Sequence, residues 1–414
     1  PKEVRTILER SIDTALDGLK GYCNDPVSDF TRCRKLPART LIECIMSFSN
    51  YSSIGELSHF FVGHGEMPSA SALSQRRQLL DPDIFKRINN LFVSAFDDHT
   101  TINGYHILAQ DGSDVNIPFM DDKTKTEKHD AKSFCQYHVN ALYDCLNKVF
   151  YDWSIDAASK KREVNALISI LKDRNYPHNS IFTADRGYES YNLMAHFIEN
   201  DIKFVIRVKD IHTRSGLMTN IKTEEGAFDI RVTRTLTSLQ TKEIKADKEK
   251  YIFVPSTSNF DFLDETRDLY DLSFRAVRFK ISEDTYETVV TNLSEEEFKT
   301  EDFKELYHYR WNEETAFNKL KYTIGLVYFH ARKRKLIQQE INAAFLMYNV
   351  SEVIIRNIDL KKNKKPELEY DYKPNFSSAV TNIRLYLRKK INMRELILRI
   401  KKFLVAQRPE RSYE

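Results

Sequence analysis

Two aspartates in this sequence each follow a short apolar run of the kind that forms a buried strand. Asp111 ends the run YHILAQD, and Asp185 ends the run SIFTAD. Carboxylates at the ends of neighbouring strands can converge on a hard divalent cation, which prefers oxygen ligands. Asp114 is an alternative for the first position. Asp111 is favoured because it follows the apolar run directly and precedes Gly112, which allows a metal or phosphate to approach closely.

A helical segment further along, LYHYRWNEETAFNKLK, carries a third acid among basic and aromatic residues. Arg310, Glu314 and Lys321 lie 3, 7 and 14 residues after Tyr307. At roughly 100° per residue, the four fall within an arc of about 60°. Such a stripe is often only a solvated face, but Trp311 beside it suggests partial enclosure. Glu314 can complete a metal site while Arg310 and Lys321 bind phosphates, arginine as a fork and lysine as a point charge.

The spacing of these four residues, Y-x2-R-x3-E-x6-K, resembles the YREK signature of the IS4-type bacterial insertion-sequence transposases, a DDE family. The match is complete in residue type and spacing. DGS at 111–113, DRGY at 185–188, VTNL at 290–293 and QQEINAAFLMYN at 338–349 are also similar to the family. The resemblance covers about residues 100 to 350. It is weaker over the N-terminal helices and says little about the C-terminal tail.

The resemblance implies a catalytic triad of Asp111, Asp185 and Glu314 that holds two Mg²⁺ ions, for which Mn²⁺ can substitute. One metal would activate water or a DNA 3′-hydroxyl, and the other would stabilise the leaving 3′ oxygen. The implied activity is that of a DNA transposase. It cleaves insertion-sequence ends and joins their 3′ ends to target DNA.

The resemblance also implies how DNA is held. Tyr307, Arg310 and Lys321 would contact the phosphates of the transposon end. The expected partners are the double-stranded inverted-repeat ends and target DNA, bound by a homodimer in a synaptic complex. The expected location is the bacterial cytoplasm, in association with the nucleoid.

The elements that would position the triad alternate between strands and helices. From 99 to 213 the order is strand, hairpin, helix, strand, helix, strand, with QYHVNALYD and VFYDWSID forming the hairpin. This is the order of an RNase H-like mixed sheet. We therefore predict an α/β protein whose RNase H-like catalytic core has a first part at 99–213 and a second part, with the signature helix, at 296–356.

Two further regions flank the second part of the core. Residues 214–295 contain FDIRVTRTL, LSFRAVRFKI and YETVVTNL, which predict a β-rich insertion. Some relatives use this insertion for a hairpin intermediate, but it has no tryptophan here, so base stacking would need Phe or Tyr. Residues 357–414 predict a basic helical C-terminal region that can contact phosphates. Its basic residues include Lys361, Lys362, Lys364, Lys365, Arg388, Lys389, Lys390, Arg399, Lys401 and Lys402.

Residues 1–98 predict an N-terminal helical domain. SSIGELSHFF, a turn with Gly63 and Gly65, and SASALSQRRQLL have the outline of a helix-turn-helix. Arg76 and Arg77 would then contact DNA from the second helix. An ordinary solvated helical hairpin is the alternative.

Composition excludes several other classes of protein. The 414 residues carry a net charge of only +3, so DNA binding must come from local basic clusters. No apolar stretch approaches the length of a membrane span. The five cysteines form no CxxC pair, which argues against a zinc site and for reduced thiols.

Two alternative functions remain open. The first is an RNase H-like structure-selective nuclease that cuts without strand transfer. The second is a domesticated transposase that binds DNA without turnover. The presence of Asp111, Asp185 and Glu314 argues against the second alternative.

Overall fold

A computed structural model describes residues 1–32, 35–63, 65–96, 99–128, 131–158, 163–211, 213, 215–255, 257–258, 260–282, 285–359 and 371–407. Within these residues the helices are α1 Lys2–Asp17, α2 Ala38–Met46, α3 Ser53–Phe61, α4 Ala70–Leu79, α5 Asp83–Val93, α6 Glu163–Asp173, α7 Tyr191–Glu199, α8 Lys242–Ala246, α9 Asp302–His308, α10 Trp311–Lys319, α11 Arg334–Arg356, α12 Phe376–Leu387 and α13 Met393–Lys402. The strands are β1 His106–Ile117, β2 Lys125–Lys128, β3 Ala131–Asp144, β4 Val149–Ala157, β5 Ser180–Ala184, β6 Lys203–Val208, β7 Phe228–Thr237, β8 Tyr251–Phe253, β9 Leu269–Ser282, β10 Thr285–Thr291, β11 Asp371–Pro374 and β12 Leu404–Gln407.

Five of these strands form the part of the main sheet that carries the two predicted aspartates. Their order is β4-β3-β1-β5-β6, with β3 antiparallel to both β1 and β4 and with β5 and β6 parallel to β1. Helices α6 and α7 make the crossovers that parallel strands require. Strand β5 is buried at every position, as expected for a parallel strand covered on both faces. This order confirms the predicted α/β fold with an RNase H-like mixed sheet.

The β-rich segment at 214–295 continues the same sheet. Strand β10 pairs antiparallel with β6, placing Thr291 opposite Val205, and β9, β7 and β8 follow outward. Together with β2, which pairs with β3, this makes one sheet of ten described strands. The segment thus extends the core sheet from its β6 edge and does not form a second sheet. The division of the chain into five domains stays a prediction.

Helix α11 joins the N-terminal helices to the sheet. It is buried along most of its length and packs against α1, α2, α4, α5 and β4. Its polar residues bond across these contacts. Gln339 donates to the carbonyl oxygens of Arg77 and Leu80, each at 2.7 Å, and Asn342 accepts from Trp153 Nε1 at 2.7 Å. The polar side chains of α11 therefore tie two layers of the molecule together.

Four charged side chains meet at this joint and form what we call the interior ion-pair cluster: Glu56, Arg77, His330 and Glu340. Arg77 Nη2 lies 2.7 Å from Glu340 Oε1, and His330 Nδ1 lies 3.1 Å from Glu340 Oε2. Burial opposes ionisation of both partners of the second pair. Even so, hydrogen bonds to Glu340 and Glu56 raise the pKa of His330 to about 9, and Arg77 with His330 lowers the pKa of Glu340. Buried charges in this cluster are thus matched by opposite charges.

The C-terminal region contains α12 and α13, and a small two-stranded sheet of β11 and β12. One of its basic side chains is directed into the protein. Arg384 of α12 is buried and donates to the carbonyl oxygen of Ile324 at 2.9 Å. The predicted phosphate contacts of Lys361, Lys362, Lys364 and Lys365 lie outside the described residues.

None of the described helices combines the length and the apolar character needed to cross a membrane. Among the described residues, Cys23, Cys44, Cys135 and Cys145 are free thiols, and Cys33 lies outside that part of the chain.

Candidate active site

Strands β1 and β5 bring Asp111 and Asp185 side by side. The two strands pair in parallel with Gln110 opposite Ala184, so the two aspartates are the next residues in register. Neighbouring strands lie about 4.8 Å apart, which makes the aspartates close neighbours. Asp185 directly follows the end of β5, whereas β1 continues past Asp111 to Ile117, so the expectation that both strands end at their aspartate is wrong for Asp111. Asp185 also caps the short 3₁₀ turn after it, where its carboxylate accepts from the Arg186 N–H at 2.5 Å.

Helix α10 adds Glu314 through a shared contact with Arg310. Arg310 Nη2 donates to Glu314 Oε1 at 3.1 Å, and Arg310 Nη1 lies 4.0 Å from Asp111 Oδ2. Burial disfavours the charge on Arg310, but Tyr307, Asp185, Glu314 and Asp111 together raise its pKa above the ordinary value for arginine. All three predicted acids therefore stabilise the positive charge of one guanidinium. The space between them favours a cation.

The electrostatic balance at this edge leans toward excess carboxylate. Burial raises the pKa of Asp111, with smaller contributions from Glu163 and Glu314, while the Gly112 N–H and Arg310 oppose the shift. Burial and the charge of Asp111 also raise the pKa of Glu313 well above its usual range. Desolvated carboxylates close to one another are a common property of catalytic and metal-binding sites.

Several buried polar groups near Asp111 have no well-aligned hydrogen bond, although the Asp111 N–H lies close to Glu313 and the Tyr188 hydroxyl lies close to Gln110. They include both carboxylate oxygens of Glu313 and both amide atoms of Gln110, all without accessible surface. Buried polar groups are nearly always hydrogen-bonded in native proteins, and an exception calls for a specific reason such as a catalytic role or an ion. We refer to Asp111, Asp185, Arg310, Glu313 and Glu314 as the edge cluster.

The donor set suits a divalent cation such as Mg²⁺, because it consists of carboxylates and already surrounds a cationic group. In the described part of the chain, however, no three His, Cys, Asp or Glu side chains are close enough to hold one ion together. The prediction that Asp111, Asp185 and Glu314 lie within metal-bridging reach is therefore not met in this arrangement. The physical reason is that the Arg310 guanidinium lies among them and pairs with Glu314.

The signature residues do not share one uninterrupted helix. Tyr307 lies in the last turn of α9, whereas Arg310 immediately precedes α10. Lys321 belongs to a π-helical turn, 320–324, that ends at Gly325 with φ of 118°. A π turn holds more residues than an α turn, so the predicted stripe with a uniform 100° step is wrong at its last member. Lys321 is half-buried, and desolvation lowers its pKa although nearby Asp114 opposes the shift.

Tyr307 and Arg310 were both predicted to contact DNA, but the structure places both side chains inside the protein. Tyr307 is 1 % exposed and Arg310 is 2 % exposed. The Tyr307 hydroxyl is buried, and burial raises its pKa to about 12. In this arrangement Arg310 faces the carboxylates of Asp111 and Glu314, and the predicted phosphate contacts of Tyr307 and Arg310 stay predictions.

The two helices of the predicted helix-turn-helix lie in the N-terminal region. Helices α3 and α4 exist, and Ser69 caps α4 by accepting from the Ala72 N–H at 3.1 Å. Arg77, however, is 2 % exposed and is held by Glu340 and the Leu336 carbonyl oxygen. The guanidinium of Arg77 is thus bonded inside the protein in this structure, and its predicted contact with DNA stays a prediction.

Arg76 is only partly buried. Its Nε donates to the carbonyl oxygen of Leu36 at 3.1 Å, and its guanidinium lies over the Phe30 ring, 4.0 Å from the centroid. These contacts anchor the side chain to the N-terminal helices. A phosphate contact by Arg76 stays a prediction.

A cavity of about 460 Å³ lies beside the edge cluster, between β9, β10 and the helices α9 and α10. Its walls include Phe279 and Ile281 from the β-rich segment and Tyr307 and Trp311 from the helices. Trp311 is 48 % exposed. Aromatic side chains next to the site thus come from two regions, the helices α9 and α10 and the β-rich segment, which contributes a phenylalanine.

Sequence reasoning missed four residues of the site: Gln110, His138, Glu163 and Glu313. Glu313 was hidden by its neighbour Glu314, since helical position alone does not say which of two adjacent acids faces the strands. His138 and Glu163 meet across different elements, and His138 Nε2 lies 3.1 Å from Glu163 Oε1. A usable signal was the histidine on the strand directly paired with the one that carries Asp111.

Comparisons with known proteins identify the family of this chain. The family model described as Transposase DDE domain matches residues 102–350, which is more than half of the chain. No curated protein sequence matches the chain significantly. Among solved structures, the chain is similar to piggyBac transposase in a synaptic complex with hairpin DNA, with 12 % identity, a TM-score of 0.40, and coverage of 90 % of this chain and 76 % of that one. On the strength of the family match, the chain belongs to the Transposase DDE domain family.

Proposed function

We propose that this protein is a transposase of the IS4 type that cleaves the ends of an insertion sequence and joins their 3′ ends to target DNA. The observation that carries the proposal is the register of β1 and β5, which sets Asp111 beside Asp185 and facing the helix that bears Glu314. Three acids from distant parts of the chain thus surround one position, where their negative charges stabilise a cation. The Tyr, Arg, Glu and Lys spacing of the signature supports the IS4 type.

Asp111, Asp185 and Glu314 are the residues that would hold divalent ions, with Mg²⁺ as the physiological choice. When bound, such ions supply the Lewis acidity that in-line phosphoryl transfer requires. The side chains themselves must turn toward one another, because in this structure Glu314 pairs with Arg310. In the proposed triad, the positive charge of Arg310 neutralises the carboxylates when their side chains turn toward one another.

The remaining signature residues have different proposed roles. Tyr307 supports Arg310, whose guanidinium lies 5.6 Å from the centre of the tyrosine ring. Lys321, which is half-buried and carries a positive charge near Asp114, contacts a phosphate of the DNA end. Its lowered pKa agrees with a site where an anion would restore lost solvation.

The proposed partner is double-stranded DNA, both the inverted-repeat ends and the target, in a complex with two copies of this chain at the nucleoid. One edge cluster can process only one DNA end at a time, whereas excision of an element requires both ends. A pair of chains, each with one end, satisfies that requirement.

The test is a reaction of the purified protein with two DNA fragments that end in the inverted repeats flanking its own reading frame, a target plasmid and Mg²⁺. We expect cleavage at the repeat boundary and covalent joining to the plasmid, both lost in Asp111→Asn and Asp185→Asn. The mass of the complex on end DNA should equal two chains and two duplexes. Cleavage without joined product would assign a nuclease instead, and binding without cleavage would assign a DNA-binding protein that has lost turnover.

A further inference from the structure

A histidine is buried beside the edge cluster and lies between two carboxylates. His138 is 2 % exposed, and its Nδ1 lies 2.7 Å from Asp114 Oδ1. Its Nε2 has no accessible surface and no well-aligned hydrogen bond, but it lies 3.1 Å from Glu163 Oε1. The imidazole therefore points from Asp114 toward Glu163.

Gly112 makes this arrangement possible. A Cβ at position 112 would come 2.3 Å from His138 Nε2 and 2.7 Å from His138 Cε1. No real Cβ tolerates such contacts, so the ring of His138 can lie against β1 only because residue 112 has no side chain. The glycine directly after Asp111 thus gives space to the histidine that faces Glu163.

Glu163 begins α6 and reaches the turn after Asp185. Its Oε2 would lie 3.6 Å from a Cβ built on Gly187, which is in that turn. Its charge contributes to the raised pKa of Asp111 and also to the raised pKa of Tyr188. Its side chain is 32 % exposed, so solvent and ions can reach it. Glu163 thus lies near Asp111 and near the turn that follows Asp185, and its side chain is partly exposed.

We propose that Glu163 is a fourth metal-ligating carboxylate beside Asp111, Asp185 and Glu314, a direct ligand of the divalent cation that Asp111 binds, and that His138 and Asp114 hold it in position. The inference rests on the proposed metal-dependent function. An ion close to Asp111 prefers several oxygen ligands, and Glu163 supplies one from an element outside the signature. His138 is a positioning residue, because it acts through Glu163 and does not itself reach the ion. Residues that orient a metal ligand in this way commonly change metal affinity by about 10- to 100-fold.

The experiment measures Mn²⁺ binding to the full-length protein without DNA, by titration calorimetry. We expect Glu163→Gln to weaken Mn²⁺ by about tenfold or more, and His138→Gln to weaken it by a smaller factor. Glu243→Gln is the matched control, because Glu243 also lies in the first turn of a helix but is on α8, at the far end of the sheet. In DNA cleavage, Glu163→Gln should raise the Mg²⁺ concentration for half-maximal rate, which a purely structural change would not do.

Asp111→Asn separates failure of the inference from failure of the proposed function. If Asp111→Asn abolishes Mn²⁺ binding while Glu163→Gln binds like the unaltered protein, Glu163 is not a ligand and the inference is overturned. If neither substitution affects binding, the metal assignment of the proposed function fails as well. If Glu163→Gln does not fold, Glu163→Asp keeps the charge but retracts it by one methylene. Unchanged Mn²⁺ affinity in Glu163→Asp would then overturn the inference.

Discussion

Two groups of charged side chains in this protein, one buried and one partly exposed, are organised in opposite ways. In the interior ion-pair cluster, Arg77 and His330 face Glu340 at 2.7 and 3.1 Å, so that cations and carboxylates are matched. In the edge cluster, Arg310 faces Glu314 and Asp111, and Arg207 Nη1 lies 3.9 Å from Asp185 Oδ1. The buried carboxylate of Glu313 has no cation paired with it and no well-aligned hydrogen bond. Charge is balanced at the first place and unbalanced at the second.

The difference shows what each cluster contributes. A matched buried network fixes how helices pack, and losing one partner leaves an uncompensated charge. An unmatched group of carboxylates destabilises the fold but is ready for a cation, and proteins tolerate such violations mainly at functional sites. Substitutions in the interior cluster should therefore affect stability, and those in the edge cluster should affect chemistry.

The strongest test of this contrast is Glu314→Gln. It keeps the shape and the hydrogen bond to Arg310 but removes a metal-binding charge. Cleavage of end DNA should fall by about a thousandfold or more, equivalent to about 4 kcal/mol of transition-state stabilisation. Single-turnover cleavage in Mg²⁺ measures the effect, and end binding in Ca²⁺ should change little. Normal cleavage by this variant would remove Glu314 from the triad.

Arg77→Met is the corresponding change in the interior cluster. It leaves Glu340 buried without its main cation, and it should lower the free energy of unfolding by ~3 kcal/mol. Urea denaturation measures this loss. Arg76→Met is the matched control on the same helix, because Arg76 is partly exposed, and it should have a clearly smaller effect. An equal loss of stability in the two variants would mean that the ion pair with Glu340 makes no specific contribution to the free energy of unfolding.

The pH dependence of stability should reveal His330. Its folded-state pKa is about 9, above the ordinary value of 6.5, so its contribution is complete below pH 6.5 and is lost as pH rises through 9. Glu340 has a lowered pKa, so its contribution is present above pH 4.5 and is lost on acidification. Thermal unfolding from pH 6 to 9.5 should show a decline that His330→Asn removes. An identical decline in the variant would assign the effect to other groups.

Glu313→Gln should have a small effect of the opposite sign from Arg77→Met. The raised pKa of Glu313 means that its contribution is present below pH 4.5 and is lost as pH rises, so the carboxyl destabilises the fold at neutral pH. The amide should therefore increase the free energy of unfolding by ~1 kcal/mol at pH 7, with the gain shrinking toward pH 4. Destabilisation at pH 7 would show that this carboxyl has a partner that stabilises it.

Lys321→Ala should produce the smallest change, and it acts on binding. Loss of one phosphate contact should reduce end affinity several-fold and shrink the slope of log affinity against log salt by about one unit. Binding in Ca²⁺ over a salt series measures both. Lys242→Ala, an exposed lysine on α8, is the control and should leave the slope unchanged. The phosphate role would be rejected if the two variants gave the same slope.

The sequence predicted the core because its signals are local. An apolar run followed by an acid identified Asp111 and Asp185, and the alternation of strands and helices indicated the RNase H-like order. Each of these patterns is contained in a short window, and burial of the runs does not depend on which distant segment covers them.

Features that depend on distant partners were not predictable in this way. Arg77 looked like a surface residue of a basic helix because its partner, Glu340, is 263 positions away. Lys321 does not lie on the predicted stripe because Leu320–Ile324 forms a π-helical turn before Gly325. Glu163 gave no signal because its significance comes from the place where α6 starts relative to β1 and β3.

The position of α11 in the chain has a consequence for how the protein is made. During synthesis the N-terminal helices α1 to α5 emerge first, but the helix that buries their apolar faces ends at Arg356. At 5–20 residues per second, roughly 10–50 s of translation separates the end of α5 from the end of α11. Throughout that interval α2 and α5, which carry fully buried residues such as Leu41, Ile42 and Ile88, lack the helix that packs against them. The nascent N-terminal segment is therefore the part of this protein that a ribosome-bound chaperone would meet and protect.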